Sequence, residues 1–79
     1  MPHIIVKLWP GRTEKQKSEL TNRISQAVEE TICADEKSIS VSFEEVDSDK
    51  WMKQVYEPDI LMKKYALYKK PGYGDFEDY

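Results

Sequence analysis

Two short segments that alternate apolar and polar residues flank one long helical stretch, and that pattern limits what this chain can become. From His3 to Trp9, Ile4, Val6 and Leu8 point one way, while His3, Ile5, Lys7 and Trp9 point the other. This is the period of a strand, and it carries β-branched residues. Pro10-Gly11 is a turn signal that stops it. Thr13-Glu14-Lys15-Gln16 has the capping-box pattern, with Thr13 as N-cap and Gln16 reaching back to it. Leu20, Ile24, Ala27, Val28, Thr31 and Ile32 then recur at helical spacing, which predicts an amphipathic helix over residues 14–33. After the polar connection Ala34-Asp35-Glu36-Lys37, a second strand is expected over residues 38–46. There Ile39, Val41 and Phe43 alternate with Ser40, Ser42 and Glu44.

Strand, helix and strand in that order make a β-α-β unit with parallel strands. The fold class expected is therefore α/β (α+β). A two-stranded sheet is not stable by itself, and a helix covers only one of its faces. The chain has 79 residues, one cysteine (Cys33) and one histidine (His3), so neither an internal disulfide nor a structural zinc site can supply the missing stability. A second copy of the chain is the remaining staple.

The rest of the chain reads as helical. Asp47-Ser48-Asp49 is a helix start, and Trp51, Met52, Val55 and Tyr56 then share a face. Pro58 fits the first position of another short helix. Its stripe would be Ile60, Leu61, Tyr65 and Tyr68, and Lys69-Lys70-Pro71-Gly72 would end it. Residues 73–79 are acidic and aromatic, and are either disordered or packed on a partner. No linker or repeat divides the chain, so residues 1–79 are expected to be one domain.

Composition narrows the function classes. The net charge of −3, with both signs mixed along the chain, argues against a nucleic-acid partner. No apolar run reaches the length of a membrane span, and the N-terminus lacks a signal-peptide pattern. With a lone cysteine, a reducing, cytoplasmic location is expected. Cys33, late in the helix, reads as small apolar filler or an inert thiol. No phosphate loop, metal-ligand cluster or catalytic triad is present, and no cofactor is expected. Glu44 and Glu45 point to opposite faces of a strand and cannot act as a pair. His3 reads as a surface residue.

One residue remains that can do chemistry. If Met1 is removed, Pro2 becomes an N-terminal secondary amine at the end of a strand; if Met1 stays, the same nitrogen is an amide with no basicity. An N-terminal amine titrates at about 7.7–8.0, and burial or nearby cations lower that value. Such a base suits proton transfer near neutral pH.

Pro2-His3-Ile4-x-Val6-x-Leu8, Gly11-Arg12-Thr13-x-x-Gln16-Lys17 and Ser38-Ile39-x-Val41, in that order, resemble the 4-oxalocrotonate tautomerase family. Met1-Pro2-His3-Ile4, the Ser38-Ile39-Ser40 strand, the Trp51 region and Lys69-Lys70-Pro71-Gly72-Tyr73 resemble its bacterial PptA-type subgroup. The resemblance implies β-α-β units that pair into a four-stranded sheet with two helices on one face. It implies loss of Met1, catalysis by the Pro2 amine as general base and then acid, and enol–keto tautomerisation of a small 2-oxo acid without a cofactor. By position, Arg12 matches the arginine that grips a substrate carboxylate, and Trp51 an aromatic pocket wall. Ser40 departs from the hexameric members, which carry a second arginine there. It can donate a hydrogen bond but has no charge, which favours a monoacid with an apolar or aromatic end, such as phenylenolpyruvate, over a dicarboxylate. The helical C-terminal segment replaces the hairpin that closes the hexamer, so a homodimer is expected rather than a hexamer. Two other readings stay open: hydration or dehalogenation on the same proline, and a non-catalytic oligomeric binding module.

Overall fold

The computed structural model describes residues 1–74. The described chain forms two compact units, residues 1–45 and residues 46 onward.

The first unit is the β-α-β element. Strand β1 (His3–Leu8) and strand β2 (Ser40–Glu45) are joined by helix α1 (Glu14–Ile32). The strands run parallel, with His3 opposite Ser40, Val6 opposite Phe43 and Leu8 opposite Glu45. Ile4, Val6 and Leu8 are half-buried, as are Val41 and Phe43 on β2, whereas His3 and Ile5 on the other face are exposed. The period-2 reading of both strands is thus correct, with β2 starting two residues later than its pattern proposes.

Helix α1 begins where the capping box puts it. The Gln16 backbone N–H donates to the Thr13 hydroxyl at 3.1 Å, and the Thr13 N–H donates to Gln16 Oε1 at 2.9 Å. Before it, Gly11 takes φ 120°, a conformation closed to a side chain, so the Pro10-Gly11 turn needs glycine there. The helix ends at Cys33, which adopts the left-handed conformation (φ 55°, ψ 37°) as an exposed cap rather than apolar filler. The face α1 shields is not the full apolar stripe. Lys17, Thr21, Ile24, Ser25, Val28 and Glu29 are half-buried, while Leu20, Ala27, Thr31 and Ile32 stay exposed. A two-stranded sheet is narrower than the helix's apolar arc, so one edge of the arc stays exposed. Lys17 fastens the helix to the sheet, with its Nζ 2.6 Å from Glu45 and 3.6 Å from Glu14. The Glu45 hydrogen bond, then the charges of Glu45 and Glu14, raise the Lys17 pKa above its ordinary 10.5.

In the second unit a tight turn at Ser48–Lys50 leads into helix α2 (Met52–Ile60), which is wound wider than an α-helix. Pro58 lies inside α2 instead of opening a new helix. Proline has no N–H to give, and its ring would strike the Gln54 carbonyl in a normal helix. The wider i→i+5 winding relieves that clash, and the Leu61 N–H accordingly reaches both Tyr56 O and Glu57 O. Tighter turns follow over Leu61–Ala66, interrupted by the non-helical Lys63. Ile60 and Leu61 are half-buried, but Tyr65 and Tyr68 are fully exposed and form no shielded stripe with them. Val55 (4%) and Tyr56 (3%) are the only apolar residues among those described that are fully buried. Tyr73 packs back on Tyr56 with ring centroids 5.6 Å apart and tilted by 42°. Gly74, at φ 75°, passes so close to the Tyr56 ring that a Cβ there would sit 2.7 Å from it. At Tyr73 neither alternative expected for the end of the chain holds, since the ring packs on Tyr56 of its own chain, and residues 75–79 lie outside the described residues. No helix among the described residues is long and apolar enough to cross a membrane.

Candidate active site

The parallel register brings two of the candidate residues together. Pro2 stands immediately before β1 and is half-buried. Its carbonyl accepts a hydrogen bond from the Ser40 N–H at 3.2 Å, which extends the sheet by one rung and fixes the residue next to the start of β2. Ser40 is held a second time through its side chain, with His3 Nδ1 2.6 Å from Ser40 Oγ. The reading by residue type sets His3 aside as a surface side chain. Its tie to Ser40 depends on which residue of β2 lies opposite it, and nothing within either strand's own pattern fixes that.

Arg12 is at the other end of the sheet. It lines a shallow cleft of about 170 Å³ with Leu8, Gln16, Lys17, Leu20 and Phe43. The cleft has an apolar floor from both strands and α1, and cationic and amide groups at its rim. That combination suits a small acid with an apolar body. A strand rises about 3.3 Å per residue, so the six residues of β1 put roughly 20 Å between its two ends. Pro2 and Arg12 of one chain therefore do not meet on one small substrate.

Trp51 belongs to the second unit. It is half-buried, and its indole Nε1 donates to the Tyr73 hydroxyl at 2.9 Å. With Tyr56 and Tyr73 it forms a small aromatic group, fixed at its polar tip as buried tryptophans usually are. For metals, no group of three or more His, Cys, Asp or Glu side chains comes together among the described residues.

Comparison with known proteins supplies the frame for these residues. The family model described as tautomerase enzyme matches residues 2–56, which include Pro2, Arg12, Ser40 and Trp51. A probable tautomerase of Xylella fastidiosa (strain 9a5c) is 43% identical over 74 residues, covering 94% of this chain and 90% of that protein. The tautomerase PptA of Pectobacterium carotovorum subsp. carotovorum (strain PC1) is 35% identical over 75 residues, covering 94% and 99%. Among solved structures, YwhB, a homologue of 4-oxalocrotonate tautomerase, superposes with a TM-score of 0.59 at 42% identity, covering 61% of this chain and 79% of that one. The β-α-β architecture and these relatives agree, and the chain is a member of the 4-oxalocrotonate tautomerase family, with PptA-like relatives, and an isomerase of the tautomerase type.

Proposed function

We propose that the protein ketonises a small enol acid, with Pro2 as the proton carrier once Met1 has been removed. The observation that carries the reading is the anchoring of Pro2. Its carbonyl is hydrogen-bonded to Ser40 at the head of an ordered strand, so a freed amine would have a fixed position. Met1 is 96% exposed, which leaves it open to removal. The Pro2 nitrogen takes the proton from the enol oxygen and returns it to the neighbouring carbon. The O–H bond and the C=C bond are lost, a C–H bond and a C=O bond form, and no redox partner or cofactor enters. Negative charge gathers on the enolate oxygen during the transfer, and hydrogen-bond donors aimed at that oxygen lower the barrier.

Arg12 binds the substrate carboxylate, where its planar guanidinium can give two parallel hydrogen bonds. Because one chain keeps Arg12 far from its own Pro2, the arginine of a given site comes from a second copy in a homodimer whose β-α-β units pair into one four-stranded sheet. Ser40 donates to a substrate oxygen, and Trp51 walls the pocket and excludes water. Ser40 adds no second charge beside Arg12, and Lys17 at the cleft rim is engaged by Glu45 and Glu14, so a monoacid with an aromatic end fits better than a dicarboxylate, and phenylenolpyruvate is the substrate to try. The enzyme would work in the cytoplasm.

The test follows the ketonisation of phenylenolpyruvate in the ultraviolet, on protein whose mass shows Met1 to be absent. The wild-type chain should exceed the buffer rate clearly. Pro2→Ala should lose about 10²–10⁴-fold, the span usual for a general acid–base group, while its circular dichroism is unchanged. A Pro2→Ala variant as fast as wild type would end the proline mechanism.

A further inference from the structure

We propose that His3 is a positioning residue of this site, which sets the Ser40 hydroxyl as a hydrogen-bond donor toward a substrate oxygen. This rests on the reading above, in which Pro2 moves the proton and Ser40 touches the substrate.

The geometry is specific. Ser40 is tied on two sides to consecutive residues of β1, by its backbone to Pro2 at 3.2 Å and by its hydroxyl to His3 at 2.6 Å. Both His3 and Ser40 are exposed. The bond between them therefore satisfies no buried polar group, and its share in stability is small. What it does control is the direction of a single proton. A serine hydroxyl has one hydrogen to give, whereas the imidazole Nδ1 is a donor or an acceptor according to its protonation. When Nδ1 is bare, the hydroxyl spends its hydrogen on the ring and can offer a ligand only lone pairs. When Nδ1 carries hydrogen, it donates to Ser40 Oγ, and the hydroxyl hydrogen is free to point at an anionic oxygen. An enolate or carboxylate oxygen accepts and never donates, so a bound substrate selects the Nδ1–H form of His3. If both ring nitrogens are protonated, the same arrangement also puts a positive charge within one hydrogen bond of Ser40.

Among the described residues, the full charges on the same sheet face stand away from Ser40. Lys7 on β1 and Glu44 on β2 lie further along it, 3.9 Å from each other. On the opposite face, Lys17 of α1 is engaged by Glu45 and Glu14.

The experiment is a double-mutant cycle on Met1-free protein with phenylenolpyruvate, using His3→Phe, Ser40→Ala and the double variant. His3→Gln is added because its amide N–H can still donate to the hydroxyl, and Pro2→Ala serves as the control. His3→Phe and Ser40→Ala should each lower kcat/KM about tenfold, the worth of one hydrogen bond to a charged group. The double variant should fall no further than Ser40→Ala, because His3 acts through Ser40. His3→Gln should recover most of what His3→Phe loses. Equal losses from His3→Phe with and without Ser40, or no loss at all, would overturn the inference. If Pro2→Ala is inactive while His3→Phe matches wild type, the proline reading survives and only the role of His3 falls. If Pro2→Ala is fully active, the proline reading itself falls. A second readout needs no variant to fold: nitrogen-15 NMR of the His3 ring should move toward the Nδ1–H form on saturation with phenylpyruvate, and an unmoved signal would overturn the proposal.

Discussion

At the scale of single residues, two of the candidates are held across the sheet, Pro2 through its backbone carbonyl and Ser40 through both its N–H and its hydroxyl. The Pro2 carbonyl and the Ser40 hydroxyl are held by β2 and by His3, and Arg12 faces an apolar cleft at the far end of the strand. Lys17 is different, since its partners serve the fold. Glu45 first, by a hydrogen bond, and then the two carboxylate charges raise its pKa above 10.5. Below that value the lysine is protonated in both the folded and the unfolded chain, and its full contribution is present. As pH rises, the unfolded chain gives up its proton first, and the contribution drains away until the folded lysine has also titrated. Lys17→Met should therefore unfold at a lower temperature than wild type at pH 7 to 9, with the gap closing above about pH 10.5. Thermal melts of both proteins across that range check it, and a gap that persists undiminished at the alkaline end would mean that the charge of Lys17 is not what holds α1 to the sheet.

At the scale of elements, the two ends of α1 behave differently. The start is fixed by chemistry local to four residues, the reciprocal bonds between Thr13 and Gln16. Thr13→Ala should cost about 1 kcal/mol, read as a lower denaturant midpoint with an unchanged slope. The same turn carries Arg12, so loss of the cap should also loosen the carboxylate anchor proposed for that residue. The burial of the helix, by contrast, follows the width of the sheet it rests on, and Leu20 and Ile32 remain 41% and 62% exposed. In α2, Pro58 reads locally as a helix start, yet the chain runs through it by widening its winding. Local proline preferences favour a break there, and the burial of Val55 and Tyr56 in the preceding turn outweighs them.

At the scale of the whole molecule, the distribution of burial points to association. Among the described residues of the β-α-β unit no side chain is fully buried, and Ile5 and Trp9 stand 48% and 54% exposed. Small domains with so little buried core are commonly stapled, and association of chains is one such staple. The proposed site has the same requirement, because Pro2 and Arg12 of one chain lie at opposite ends of β1. A mixing experiment tests this directly. Chains carrying Pro2→Ala and chains carrying Arg12→Ala, each nearly inactive alone, are unfolded together and refolded at equal amounts. Half of the dimers should then be mixed, and each mixed dimer should hold one intact site of two, giving about a quarter of wild-type activity. No recovery beyond the sum of the separate variants would mean that both residues serve from one chain.

Features that depend on neighbours a few residues apart are legible in the amino-acid order. The alternation of Ile4, Val6 and Leu8 makes β1, the Thr13–Gln16 box starts α1, Gly11 allows the turn between them, and the order of short motifs from Pro2 to Tyr73 marks the family. These are local rules, since backbone geometry repeats every two or about 3.6 residues and caps act within one turn. Which side chains from distant segments meet is settled in the folded chain. The pairing of His3 with Ser40, 37 residues apart, is set by the register between strands. The passage of α2 through Pro58 is set by packing around Tyr56. Each of these outcomes depends on contacts that form only when the chain has folded back on itself, and for that reason no window along the sequence contains them.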